Sequence, residues 1–267
     1  MIKKPAFEKL LAFIFAKGYT CFMEEEMAKS NIIIGGLVPF TTIDYPTKIS
    51  AVLFLQGCPW RCIYCSNPHL FAFRKQTEQD KANYEYVLEL LKKRVKIIDA
   101  VVFSGGEATA QADEIISCIE DIKEFAPHYK FGLHTNGCFP EKLSKVLPYI
   151  DWVGLDIKAP CKKYEQITTI KRSGEFAFES LEILIKSGKN FEVRTTADPT
   201  VLTKDDILEI AETVAKAGVK HYAVQRYRPV DRDNLNNPPA QMITQFFTDK
   251  EFEEKLRAIV PELEMRF

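Results

Sequence analysis

Beyond residue 48 the chain repeats one theme: a short apolar run rich in β-branched and aromatic residues, a polar turn, then a helical pattern. The runs are ISAVLFLQG (49–57), DAVVFSGG (99–106), KFGLHTNG (130–137), WVGLDIKA (152–159), FEVRTTAD (191–198) and HYAVQRYR (221–228). Amphipathic stretches fill the gaps, clearest at YEYVLELLKKRV, ADEIISCIEDIKEF, FAFESLEILIKSG and DDILEIAETVAKAG. The last two end on Gly188 and Gly218, a favoured helix stop. Strands alternating with helices make βαβ units and a parallel sheet. Six such units suit a doubly wound open sheet or an incomplete barrel, and both place function at the C-terminal strand ends. No G-x-G-x-x-G follows the first run, which argues against a dinucleotide-binding unit. One further amphipathic stretch, ITQFFTDKEFEEKLRAIV, and a short apolar LEMRF complete the pattern.

The 267 residues are 46% hydrophobic and 27% charged, enough apolar material for a sizeable core. A formal net charge of −1 gives no electrostatic case for nucleic acid or an anionic membrane. No apolar run approaches the roughly 20 residues of a membrane span. Seven cysteines, an odd number with three clustered, make a poor disulfide framework and fit a reducing, cytoplasmic setting. Residues 1–30 read as an N-terminal extension, either a peripheral amphipathic helix or an over-extended start ahead of Met23 or Met27. The main domain then spans 31–267, with no internal boundary.

The strand candidates begin apolar and turn polar at their C-terminal ends. The first leads into the cysteines, the second into Ser104, Gly105, Gly106 and Glu107, the third into His134, Thr135, Asn136 and Gly137. The fourth gives Asp156 and Lys158, the fifth Arg194 and Thr196, the sixth Gln225, Arg226 and Arg228. Side chains alternate along a strand, so Asp156 and Lys158 share one face and Leu155 and Ile157 the other. If the apolar pair packs on helices, the charged pair points inward, where unpaired charge is expensive. Each departure alone has a plain structural reading: a turn, a helix cap, an ion pair. The same departure repeated at one end of the sheet points to a site.

GCPWRCIYCSNPH (57–69) places Cys58, Cys62 and Cys65 within eight residues, with His69 close behind. These four form a possible Cys3His zinc set. A structural zinc, however, staples small domains that lack a core, and it would leave the polar strand ends unexplained. An iron–sulfur cluster takes thiolates readily, and three of them leave one iron of a four-iron cluster without a protein ligand.

C-x3-C-x2-C after the first strand, followed by SGGEA at 104–108, resembles the radical S-adenosylmethionine (SAM) superfamily from about Asn31 onward. The lead-in IGGLVPFTTIDYPTKIS, then FSGGEATAQ, TNG and LDIK, is similar to the activating enzymes of glycyl-radical enzymes. The likeness is greatest to anaerobic ribonucleoside-triphosphate reductase activating proteins, with pyruvate formate-lyase activating enzyme a better-known relative.

This resemblance implies a partial (β/α)6 TIM-type barrel, open on one side toward a protein substrate. It implies a [4Fe–4S] cluster on Cys58, Cys62 and Cys65, with SAM chelating the remaining iron. Reduced flavodoxin or ferredoxin would supply an electron, and cleaved SAM would draw a hydrogen atom from a glycine of the partner enzyme. The resemblance puts Tyr64 near the adenine and Ser66 beside the cluster. Gly105, Gly106 and Glu107 fall at the methionine amino group, Asp156 and Lys158 at SAM, and Thr135, Asn136 and Arg194 in the same cofactor site. Three positions depart from the relatives. His134 stands where an aspartate of a cation site is found, Ser66 replaces a common histidine, and Gln225, Arg226 and Tyr227 replace a histidine near SAM. Two alternatives stand beside this reading: a radical SAM enzyme acting on a small molecule, like the deazapurine-forming enzymes, and a zinc-binding module. Cys138 and Cys161 fall near the same mouth without ligand spacing, and Cys118, Cys21, His128 and His221 receive no role. His69 would line the site without binding metal.

Overall fold

The computed structural model describes residues 30–229 and 237–267. The expected N-terminal extension therefore lies outside the described residues except for Ser30. Ser30 itself is tied in, its hydroxyl donating to the Glu114 carbonyl at 2.7 Å.

All six expected strands form: β2 Ser50–Leu55, β3 Ala100–Gly105, β4 Lys130–Thr135, β5 Trp152–Asp156, β6 Asn190–Ala197 and β7 His221–Arg226. Two edge strands add to them, β1 Ile34–Thr41 and β8 Glu262–Arg266. The sheet order follows the sequence, β1 to β8, with β1 antiparallel to β2 and every later pair parallel. The helices α1 Glu78–Lys93, α2 Ala112–Phe125, α3 Pro140–Val146, α4 Tyr164–Thr168, α5 Ser173–Ser187 and α6 Lys204–Lys216 make the crossovers. Between β7 and β8 run α7 Ala240–Thr248 and α8 Lys250–Ile259. This is the partial (β/α)6 barrel, extended by one strand at each edge.

The sequence periodicity misses both edges for physical reasons. IGGLVPFT carries two glycines and a proline, poor strand formers, and its register with β2 slips twice. Pro39 is tolerated because an edge strand has one unpaired side. The short ELEMR does alternate, with Leu263 in the main core and Glu264 and Arg266 against the central cavity. The terminal amphipathic stretch is two helices rather than one. Asp249 adopts an extended conformation and accepts a hydrogen bond from the Phe252 amide, ending one helix and capping the next.

The two sheet faces have different jobs. Alternate residues such as Leu53, Leu55, Val101, Phe103, Leu133, Leu155 and Val193 pack outward into the main core beneath the helices. The inward face holds a small second cluster of Tyr45, Val52, Ala100, Val102 and Trp152. Tyr45 arrives from the β1–β2 loop and stands 5.5 Å from Trp152, ring to ring. Beyond this apolar floor the inward residues turn polar, strand by strand.

The chain leaving the cysteine loop is fixed before α1 begins. Arg74 donates to both oxygens of Asp80, at 2.6 and 2.8 Å, while Thr77 and Asp80 form a reciprocal capping box. The Arg74 guanidinium holds the Asp80 carboxyl well below the usual carboxylate range. We expect Asp80→Ala to lower stability by about 2–3 kcal/mol, combining a lost cap with lost charge-assisted bonds. Thermal and urea unfolding of the variant checks this, and a loss below the size of a cap alone counts against the pairing.

Candidate active site

The cysteine loop leaves β2 and is stitched down along its length. The Gly57 and Cys58 amides donate to the Leu70 and Phe71 carbonyls at 2.7 and 3.2 Å. On the other flank the Arg61 and Ile63 amides donate to the Thr168 and Ile167 carbonyls of α4, both at 3.0 Å. Arg61 folds back over the Phe71 ring and donates to the Cys58 carbonyl at 2.6 Å. Trp60 anchors the loop, fully buried beside Tyr164. None of the three cysteines is in a disulfide. Burial, and then the nearby Glu107 carboxylate, push the Cys58 thiol up to about 12.

The β3 end closes on this loop. A Cβ on Gly105, whose φ is +128°, would lie 2.1 Å from the Leu55 amide nitrogen, and one on Gly106 would lie 2.7 Å from the Gly57 carbonyl oxygen. Their first consequence is therefore intramolecular: two bare residues let the β3 end lie against the root of the cysteine loop. Glu107 follows, and its side chain is committed to the fold. Oε1 accepts from the Thr109 amide and hydroxyl and from the Thr135 hydroxyl, and Oε2 accepts from the Asn136 amide at 2.8 Å. Burial raises its pKa despite these donors. Asn136 in turn offers its amide Nδ2 to Cys58 Sγ at 3.8 Å.

On the next strands the charged pair turns inward as its alternation requires. Leu155 and Ile157 are fully buried in the outer core. Asp156 accepts from Arg194 Nε at 2.9 Å and from Lys158 Nζ at 3.3 Å. Gly154 makes the space for this, since a Cβ there would meet the Arg194 guanidinium at 2.8 Å. Burial pushes the Asp156 carboxyl up, but Arg194 and then Lys158 outweigh it and bring it down to about 2. Burial alone would lower Lys158, yet Asp156 holds it well above the usual lysine value. Burial and Arg194 lower the His134 pKa to about 3, so the ring is neutral, and Nε2 carries the proton because it donates to the Asp44 carbonyl oxygen at 2.9 Å.

The thirteen residues that the resemblance assigned to the cluster and SAM all line one cavity of about 950 Å³. They are Cys58, Cys62, Tyr64, Cys65, Ser66, Gly105, Gly106, Glu107, Thr135, Asn136, Asp156, Lys158 and Arg194. Gln225, Arg226, Tyr227 and Arg228 join them from β7. Residues that sequence reasoning missed also appear: Thr42 to Pro46 from the β1–β2 loop, and Glu192, Glu264, Arg266 and Phe267 toward the far edge. Arg266 grips Glu192 through two bonds of 2.8 Å. Because the cavity touches both β1's loop and β8, the sheet curls until its two edges face the same space.

The donor set fits a thiophilic cluster and a polar organic ligand. Three thiols share one cavity, the preferred ligands of iron–sulfur centres. The Tyr64 hydroxyl is buried with no partner among the described residues, a hydrogen-bonding group left over beside the cavity. The zinc set fares worse. His69 is exposed and does not line the cavity, contrary to the expectation from sequence, because the 3-10 turn Pro68–Leu70 faces it outward. Among the described residues no three His, Cys, Asp or Glu side chains are grouped as one ion requires. Cys161 is exposed while Cys138 is buried, and neither lines the cavity.

Compared with known families, residues 52–217 match the Radical SAM superfamily, and the chain belongs to it. A Methanocaldococcus jannaschii protein assigned as a glycyl-radical enzyme activating enzyme is 34% identical over 205 residues, covering 74% of this chain and 81% of its own. Pyruvate formate-lyase-activating enzyme of Streptococcus mutans is 27% identical over 194 residues, 68% of this chain and 72% of its own. A solved radical SAM methyltransferase from Sphaerobacter thermophilus shares the fold with a TM-score of 0.62 at 14% identity, covering 89% of this chain and 77% of its own. Within the superfamily this protein is one of the glycyl-radical enzyme activating enzymes, and its cofactors are a [4Fe–4S] cluster and SAM.

Asp156→Asn would leave Lys158 and Arg194 facing no anion. Breaking a fully buried pair costs about 3–5 kcal/mol, and with the Asp156 side chain 34% exposed to cavity solvent we expect about 2. The unfolded chain takes up this proton near pH 4, while the folded site resists it down to about pH 2. The stabilisation is therefore full above about pH 4 and is lost as pH falls through 2. Urea unfolding of both proteins across that window should show their difference shrinking with acid; a constant difference would refute the ion-pair origin.

Proposed function

We propose that the protein installs a glycyl radical on a partner enzyme, anaerobic ribonucleoside-triphosphate reductase, using an electron from reduced flavodoxin or ferredoxin in the cytoplasm. The observation that carries this reading is the meeting of the cysteine loop and five polar strand ends in one cavity. When bound, the reduced cluster and SAM supply a carbon-centred oxidant strong enough to remove hydrogen from a glycine Cα.

The chain's own residues hold, aim and shield that chemistry. Cys58, Cys62 and Cys65 would hold three irons, with the thiols losing their protons on ligation. Lys158 and Arg194 offer positive charge, and Asp156 negative charge, to the amino-acid end of SAM. Tyr64 offers a ring and an unpartnered hydroxyl to its nucleoside end. Ser66, Thr135 and Asn136, which line the same cavity, would flank the cluster.

The open side of the barrel supports a macromolecular substrate. β1 and β8 are both edges of the sheet, and the rims carry exposed apolar side chains, Ile43 at 81% and Phe267 at 67%. The similarity of the IGGLVPFTTIDYPTKIS lead-in to reductase activating proteins supports the particular partner. Among the described residues no helix is long and apolar enough to cross a membrane.

The test is anaerobic incubation of the iron-loaded protein with SAM, a reductant and purified anaerobic ribonucleotide reductase. A glycyl-radical EPR signal on the reductase is expected; a signal only on pyruvate formate-lyase reassigns the partner. Turnover of a small purine precursor with no protein radical would sink the reading. Cys62→Ala should abolish 5′-deoxyadenosine formation while circular dichroism shows the barrel intact, and retained cleavage would remove Cys62 from the ligand set.

A further inference from the structure

We infer that Asn136 tunes the reduction potential of the cluster through an N–H···S hydrogen bond to Cys58. This goes beyond the proposed function in giving Asn136 a cluster role, and it rests on the reading that Cys58 holds one of the irons. Asn136 Nδ2 lies 3.8 Å from Cys58 Sγ, and both residues are buried. Sulfur is large and diffuse, so donors sit farther from it than from oxygen.

The orientation of the amide is dictated by its other end. Oδ1 accepts from the Cys138 amide at 3.0 Å, and a carbonyl oxygen alone can do so. The NH2 end must therefore face the sulfur. The backbone is equally constrained, since the Asn136 amide donates to Glu107 Oε2 at 2.8 Å. A side chain held at both ends cannot swing away as charge on the sulfur changes.

Reduction adds negative charge to a cluster and its thiolates, and a donor aimed at a ligating sulfur favours the more negative state. Burial strengthens the effect, because no solvent competes for the sulfur. Glu107 acts in the opposite sense, its carboxyl group accepting the backbone amide of the same Asn136 that faces the sulfur. Asn136 is bonded to both groups, and its amide sets a positive dipole against Cys58 where the carboxylate sets a negative charge. Cys65 receives a donor from the Asn67 backbone amide at 3.4 Å, whereas the donor to Cys58 is a side chain, which Asn136→Ala removes without touching the backbone.

The experiment is a redox titration of the anaerobically iron-loaded full chain, followed by the EPR amplitude of the reduced cluster. In Asn136→Ala and the near-isosteric Asn136→Leu, the reduced-to-oxidised ratio at a fixed potential should fall about tenfold, a shift of about 59 mV to the negative for one electron. A residue that merely held the loop would lower iron content or melting temperature and leave the potential of the loaded fraction in place. A second measurement uses the unsubstituted protein labelled with ¹⁵N only in the asparagine side-chain amide. Pulsed EPR of its reduced cluster should show a ¹⁵N coupling that Asn67→Asp leaves in place, which keeps the test decisive if either Asn136 variant fails to fold or load. An unchanged potential in loaded variants, or no such coupling, overturns the proposal. If the unsubstituted protein gave no four-iron signal, the cluster assignment would fall with it; a normal signal with an unmoved potential sinks the tuning role alone.

Discussion

Glu107 is 1% exposed, and its carboxylate accepts from the Thr109 amide and hydroxyl, the Thr135 hydroxyl and the Asn136 amide. Parallel strands hold one another along their ladder, but past the last rung the sheet no longer fixes where the loops go. In this molecule a single side chain takes over that task, joining the β3 end to the β4 end. An unpaired carboxylate there would be prohibitively expensive, so the four donors and the acceptor are mutually obligatory. Through Asn136 the same joint reaches Cys58, and through the Gly105–Gly106 contact it reaches the root of the cysteine loop. Three separate stretches of sequence become one rigid wall.

Around that wall, charges pair across strands. Arg194 and Lys158 flank Asp156, leaving one cation in excess, and Arg266 clasps Glu192 and Glu264, leaving one anion in excess. Asp156 and Arg194 are direct partners in the β5–β6 register. Such pairs contribute little net stability once desolvation is counted. Their worth is in orientation: Asp156 fixes both Arg194 and Lys158, and Glu192 with Glu264 fixes Arg266, where all three cations line the cavity.

Much of this was readable from the chain itself. The strand cores appeared as apolar runs because both sheet faces are covered, and the polar ends stood out against them. Alternation alone separated Asp156 and Lys158 from Leu155 and Ile157. What stayed hidden was set by tertiary context. β1 is held by β2 despite its glycines and proline, and no local pattern reveals that. The break at Asp249 lies inside an unbroken hydrophobic period, and only the cap geometry shows it. His69 follows the cysteines closely enough to suggest a ligand, but a 3-10 turn faces it to solvent. Glu107 sits in a motif whose resemblance pointed to the ligand, whereas its carboxylate is directed at Thr135 and Asn136. Sequence can place such a residue at the site without saying which way it faces.

The sequential strand order also bears on how the molecule is assembled. Each strand pairs with its immediate predecessor, so no pairing must wait for a distant segment, and contact order stays modest for a parallel sheet. On a ribosome the early units are expected to dock as they emerge. The cysteine loop and the α4 carbonyls that pin it lie earlier in that order than Glu262–Arg266, which lines the far edge of the cavity.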